Sequence, residues 1–198
     1  MADWRKRRCI GLDALVLLFK KFSNQKMLQN KRVIILAENH YEDLELWYPK
    51  LRLIEEGAKV FVAGTGEKRY KGKNGYPLEV DGNIKDFKAK DFDAVIIPGG
   101  LAPDKLRRYK EVLDFLRDLN KDGKLIAAIC HGPHVLISAG VVRNKNLTCV
   151  DAIKDDIVNA GANYFDKEVV VDGNLITSRT PHDLPAFSRE IIKALSKR

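Results

Sequence analysis

The stretch Leu125-Ile126-Ala127-Ala128-Ile129-Cys130-His131-Gly132-Pro133 decides the reading of this 198-residue chain. Five apolar residues in succession read as a parallel strand buried on both faces. The strand runs without a spacer into Cys130, and a helix is expected from there to about residue 139. A side chain held between a strand and a helix sits on a sharp, strained turn, which is tolerated only when the residues two before and two after it are small. Ala128 and Gly132 meet that requirement, so the pattern is the cysteine counterpart of a serine nucleophile elbow. At such a turn the sulfur is expected at the carboxyl edge of the sheet, beside a helix N-terminus that favours the thiolate. The backbone N–H of His131 is expected to face the attacked oxygen, and Pro98-Gly99-Gly100 to bring a second N–H, because glycine lets backbone approach a substrate closely. The competing reading of Cys130 is an inert core cysteine.

Outward from this elbow the chain alternates strands and helices. Val33-Ile34-Ile35-Leu36-Ala37, Lys59-Val60-Phe61-Val62-Ala63 and Ala94-Val95-Ile96-Ile97 read as further buried strands. Helices are expected over residues 43–56, 104–121, near 154–160 and over 185–195. In the first, Leu44, Trp47, Tyr48, Leu51 and Ile54 recur at three- and four-residue steps. Residues 66–80 look like a small hairpin, and Leu147-Thr148-Cys149-Val150 like a strand with Cys149 in the core. The turn Asp172-Gly173-Asn174 between Val169-Val170-Val171 and Leu175-Ile176-Thr177 signals a hairpin, because Asp-Gly supplies positive φ cheaply. Repeated strand–helix units imply a mostly parallel sheet covered on both faces, with ligands at the carboxyl ends of its strands. The fold class is α/β, a flavodoxin-like three-layer α/β/α sandwich.

Composition narrows the function. Hydrophobic content of 45% and charged content of 31% are ordinary for one globular domain. The formal charge of +8 is unevenly placed: residues 1–32 carry nine Lys and Arg against Asp3 and Asp13, leaving +1 for residues 33–198. A nucleic-acid-binding domain needs a basic face on the fold itself, so no nucleic-acid partner is expected. Residues 1–30 read as a basic extension, possible as an amphipathic helix, ahead of a single domain over 31–198; a tether to an acidic partner or membrane surface is a weaker idea. Cys9, Cys130 and Cys149 form no metal-type spacing or disulfide framework, so a reduced, cytoplasmic setting without metal or other cofactor is expected.

From residue 31 to 197 the chain resembles the PfpI-type intracellular protease family, within the ThiJ/PfpI superfamily that includes the parkinsonism-associated protein deglycase. The resemblance rests on the ordered stretches Ala37-Glu38-Asn39-His40-Tyr41-Glu42-Asp43-Leu44-Glu45, Pro98-Gly99-Gly100-Leu101-Ala102-Pro103-Asp104, Ala128-Ile129-Cys130-His131-Gly132-Pro133, Leu136-Ile137-Ser138-Ala139-Gly140 and Glu168-Val169-Val170-Val171-Asp172-Gly173-Asn174. It implies a fold like that of class I glutamine amidotransferases, and Cys130 as nucleophile with His131 beside it. It further implies Glu42 as the acid that hydrogen-bonds the sulfur, and Gly100 and His131 as backbone oxyanion donors. Asp104 stands where some members carry a glutamate that reaches the active-site histidine of an adjacent subunit; its side chain is one carbon shorter. A homo-oligomer, dimer or hexamer, is implied too. The activities implied are peptide hydrolysis, removal of glyoxal or methylglyoxal adducts, and conversion of free glyoxals to hydroxy acids. From the residues alone, Glu42 is equally a carboxylate at a helix start and Asp104 a helix N-cap. His131 is equally a surface histidine, and needs an orienting acid to act as a base. His182, in Pro181-His182-Asp183-Leu184, lacks the His-x-Glu pattern of an amidotransferase. An alternative from another class is a redox sensor or holding chaperone whose Cys130 is oxidised to sulfinic acid.

Overall fold

The computed structural model describes residues 26–197; Cys9 and most of the basic extension lie outside the described residues. Seven strands form one sheet: β1 (Arg32–Leu36), β2 (Lys59–Gly64), β5 (Gly82–Asn83), β6 (Ala94–Ile97), β7 (Leu125–Ile129), β10 (Val169–Asp172) and β11 (Leu175–Ser178). Their order across the sheet is β10-β11-β7-β6-β1-β2-β5, and only the β10–β11 pair is antiparallel. Ile35 pairs with Val62 on one side and Ile96 on the other, and Ile96 pairs with Ala127. All five residues of β7 and all four of β6 are buried, which explains why these strands are apolar without alternation. The chain winds outward from β1 to β2 and β5, then returns to β6, β7 and β11. The strand order reverses between β1 and β6, and the carboxyl ends of strands at such a switch point are where ligands of these sheets bind.

Helices α1 (Asp43–Glu55) and α6 (Leu184–Ser196) pack together on one face. On the other, α4 (Pro133–Ala139) touches α2 (Ala102–Leu106), α3 (Lys110–Lys121) and α5 (Lys154–Asn159). The hairpin β3 (Arg69–Lys71) and β4 (Pro77–Glu79) fills the expected excursion, and β8 (Asn146–Leu147) pairs with β9 (Asn163–Tyr164).

Three local readings change. The helix expected over 104–121 is two helices, because Tyr109 takes an extended conformation (φ −91°, ψ 118°) and restarts the chain as the cap of α3. Cys149 is buried as expected, but the strand around it stops at Leu147. Beyond that point Thr148 N–H donates to Thr177 Oγ1 at 2.9 Å and Val150 N–H to Cys130 O at 3.3 Å, so the backbone is satisfied without a ladder. In α1 the face turned to the protein carries Glu45, Leu46, Pro49 and Leu53, while Leu44, Leu51 and Ile54 are exposed. Of the apolar stripe legible in the sequence, Leu44, Leu51 and Ile54 lie on the outer side of the helix, while Trp47 and Tyr48 are half-buried against the core.

Candidate active site

Cys130 has a φ of 60°, a left-handed conformation rare for a side chain of this kind. Holding it there costs about 1–2 kcal/mol, which the surrounding structure supplies. Cys130 N–H donates to Ser178 O at 3.1 Å, and Gly132 N–H to Ile129 O at 2.8 Å, closing the turn. A Cβ on Gly132 would stand 2.5 Å from Ile97 O and 2.8 Å from Ile129 O, both backbone atoms with little freedom to give. The glycine two residues after the cysteine is therefore a steric requirement of the bend.

Around the sulfur the structure brings together groups from four segments. The backbone N–H groups of His131 and of Gly100, which follows β6, lie on the Cys130 side of the turn and favour the charged sulfur. Gly100 reaches that place at φ 74°, where a Cβ would collide with His40 O and Glu42 N. His131 Nδ1 lies 3.3 Å from Sγ. Burial, then the neighbouring His134 and Lys73, lowers the His131 pKa, so the ring is neutral at pH 7 and able to accept a proton. His134 faces His131 edge-on, ring centroids 6.0 Å apart, and its Nε2 lies 3.1 Å from Asp156 Oδ2.

The acid that faces the thiol is Glu45, not Glu42. Glu45 sits one turn into α1, fully buried, with Oε2 accepting the Gly99 N–H at 2.7 Å. A Cβ on Gly99 would be 2.7 Å from both Cys130 Cβ and Glu45 Oε2, so bare backbone is all that separates thiol and carboxyl. Burial pushes the Glu45 carboxyl up to about 8, so it keeps its proton at pH 7. Its other oxygen has no nitrogen or oxygen partner among the described residues, and a protonated carboxyl so placed has an O–H to offer the sulfur. Glu42, three residues earlier and also buried, turns instead to an ion pair with Lys73 of the β3–β4 turn. The reason is helical geometry: Glu45, Pro49 and Leu53 share the inward face, and Glu42 precedes the first turn.

A second expectation changes with it. Burial pushes the Cys130 thiol up, and the Glu45 charge would push it further. The seven-residue helix after the elbow does not outweigh this desolvation, so a helix dipole alone does not ionise the sulfur. Thiol and carboxyl titrate as a coupled pair. With Glu45 protonated, the repulsion is absent and the two backbone N–H groups remain to hold a thiolate.

Asp104 lies in the first turn of α2, exposed and paired with Arg108; Leu101 takes the cap position, so Asp104 is not the cap. Neither Asp104 nor any other carboxylate hydrogen-bonds His131 among the described residues. His182 is exposed in the turn ahead of α6. Sequence reasoning missed two members, Glu45 and Lys73. A glutamate in register with Pro49 and Leu53 was the available signal for the first; nothing local marked the second.

Residues 31–194 match the family model described as the DJ-1/PfpI family. The chain belongs to that family. Among its relatives, the deglycase PH1704 of Pyrococcus horikoshii is 44% identical over 83% of this chain and 99% of its own length. The protein/nucleic acid deglycase 2 of Escherichia coli is 42% identical over 84% of this chain and 98% of its own. A solved two-domain protein from Anabaena variabilis, with a DJ-1/ThiJ/PfpI-like and a ferritin-like domain, superposes with a TM-score of 0.82 at 46% identity, over 84% of this chain and 48% of that one. The DJ-1/PfpI match starts at residue 31, so the basic extension stands apart from it.

Proposed function

We propose that this chain is a cysteine hydrolase that removes glyoxal and methylglyoxal adducts from amines and thiols, the same site serving peptide hydrolysis and conversion of free glyoxals. The observation that carries the proposal is the left-handed Cys130 with two backbone N–H groups and a protonated carboxyl converging on its sulfur. Relatives named as deglycases support the substrate class.

In this reading the Cys130 thiol proton passes to His131 Nδ1 as sulfur bonds to the substrate carbonyl carbon. The carbonyl electron pair moves onto oxygen, held by the Gly100 and His131 N–H groups. His131 returns the proton to the departing amine, and water cleaves the sulfur–carbon bond, restoring the thiol. For a methylglyoxal adduct, sulfur displaces the amine at the carbinol carbon, and a proton then moves from that carbon to the neighbouring ketone carbon through an enediol. Water releases the hydroxy acid from the resulting thioester, so the sum is one water added and one amine released with no outside oxidant.

The chain works in a reduced, cytoplasmic setting, a placement supported by the free thiols Cys130 and Cys149. Among the described residues no helix is long and apolar enough to cross a membrane. We propose self-association as well, supported by the exposed stripe Leu44, Leu51 and Ile54 on α1 beside exposed Tyr76. A second copy docked there would keep that stripe from water, and Asp104 would orient His131 only across such a contact. Sedimentation of Leu51→Glu against wild type tests the assembly, which is expected to shrink.

The activity is tested by comparing wild type and Cys130→Ala on methylglyoxal-adducted N-acetylcysteine, free methylglyoxal and casein. Turnover by wild type alone is expected. Equal turnover by both overturns the hydrolase reading, and suppression of aggregation with no turnover in either favours the chaperone.

A further inference from the structure

The β3–β4 turn is fastened to the catalytic side of the molecule by more bonds than a surface hairpin needs. Asp43, the first residue of α1, accepts the Asn74 N–H and Nδ2–H at 3.0 Å each and the Tyr76 N–H at 3.3 Å. Lys73 N–H donates to Tyr41 O at 2.9 Å, and His40 N–H to Lys71 O at 2.8 Å. Tyr41 O–H donates to Tyr76 O at 3.0 Å. Gly72 is required, since a Cβ there would run into the Asp43 carboxylate. The result is a turn whose position is fixed against residues 39–43, with the Lys73 ammonium on the buried Glu42 carboxylate.

Charge around the sulfur explains what that ammonium can do. Glu42 and Glu45 are two buried carboxyls within one helical turn, and Cys130 adds a third group that ionises to a negative charge. His131 is neutral at pH 7, and His134 behind it faces Asp156. Among the described residues that face the sulfur from the turn, α1, α4 and the elbow, Lys73 is the standing positive charge. Its ammonium is attracted first to Glu42, and after it to the charged forms of Cys130 and Glu45.

We propose that Lys73 is a positioning residue: held in place by the hairpin turn, it cancels the Glu42 charge beside Glu45 and sets a positive charge toward Cys130, and so keeps the sulfur reactive near neutral pH. Without it, the Glu42 carboxylate would stand uncompensated beside Glu45 and Cys130 would lose a favourable charge, so each member of the pair would hold its proton to higher pH. This inference rests on the reading of Cys130 as the reactive group, but not on which substrate it meets.

The test is the pH profile of Cys130 alkylation by iodoacetamide, read at that residue by peptide mass spectrometry. Lys73→Met is expected to move the midpoint up by about one pH unit, roughly a tenfold slower reaction at pH 7. Lys73→Arg is expected to keep the wild-type profile. Glu42→Gln, which leaves the ammonium unopposed, is expected to move the midpoint down, and the double variant Glu42→Gln/Lys73→Met to return it toward wild type. Opposite shifts from the two single variants support the electrostatic role. Shifts in the same direction, as loosening of the hairpin would give, or an unmoved Lys73→Met profile overturn it. No turnover enters the measurement, so a chain inactive on every adduct tried would leave this result standing and fail only the proposed activity.

Discussion

The loop that carries Cys149 is tied to the elbow by the bond from Val150 N–H to Cys130 O at 3.3 Å, and both thiols are pushed up to about 12 chiefly by burial. What separates them is backbone and company. Cys149 is fully buried beside a satisfied loop, and the charges felt by its thiol, those of Asp151 and Asp156, only oppose ionisation. Cys130 is half-buried at φ 60°, with N–H donors on its sulfur and an acid that is itself protonated at pH 7. Burial alone does not distinguish a core cysteine from a nucleophile. The difference lies in groups that favour the charged sulfur once it forms.

The largest expected break in this comparison is in activity. Cys130→Ser should lower turnover of methylglyoxal-adducted N-acetylcysteine at least about a thousandfold, since oxygen at this site lacks the acidity and nucleophilicity of sulfur. Cys149→Ala should leave turnover within about twofold and cost roughly 1 kcal/mol of stability through lost packing. Steady-state rates and urea unfolding on the two variants check both halves. Equal losses of activity would erase the distinction.

Glu45 gives the next effect, and its sign is unusual for a carboxylate. Its folded pKa is raised, to about 8 from 4.5, so the native state holds a proton that the unfolded chain has released. The stability this confers is complete below pH 4.5 and is lost as pH rises through 8. Glu45→Gln should therefore gain on wild type as pH rises from 5 to 8, by an amount on the order of 3 kcal/mol. Urea unfolding of both proteins across that range measures it, and parallel curves would show that Glu45 is ionised in the fold. A smaller loss, about 2 kcal/mol, is expected for Gly132→Ala, because its new methyl group meets backbone oxygen rather than a side chain that can swing away.

The elbow and the sheet were legible because their signals are local. A run of five apolar residues, a cysteine and a glycine two positions on state a strand, a nucleophile and a steric allowance in one stretch. The resemblance added the order of the motifs but placed the acid on Glu42. The site's remaining parts depend on which face of α1 meets the sheet, and the larger apolar stripe, through Leu44, Leu51 and Ile54, pointed the wrong way. With Leu46, Pro49 and Leu53 inward, Glu45 becomes the buried acid. Lys73 was beyond reach for another reason: it arrives from a hairpin some thirty residues away, through bonds to Asp43 and Tyr41 that no sequence period records. The division of residues 104–121 at Tyr109 was hidden because Leu106, Tyr109 and Val112 keep helical spacing across the break.

The smallest prediction concerns backbone strain and separates the two cysteines without reference to chemistry. Glycine adopts φ near 60° without the Cβ clash that Cys130 sustains. Cys130→Gly is therefore expected to be more stable than Cys130→Ala by about 1 kcal/mol, although it deletes one more carbon. At Cys149, where φ is not in the left-handed region, the order should reverse: glycine there adds freedom to the unfolded chain and enlarges the cavity. Chemical denaturation of the four variants reads both differences in one experiment. If alanine were the more stable replacement at both positions, the bend at Cys130 would hold no strain, and the requirement for a small residue at Gly132 would need another cause than the turn.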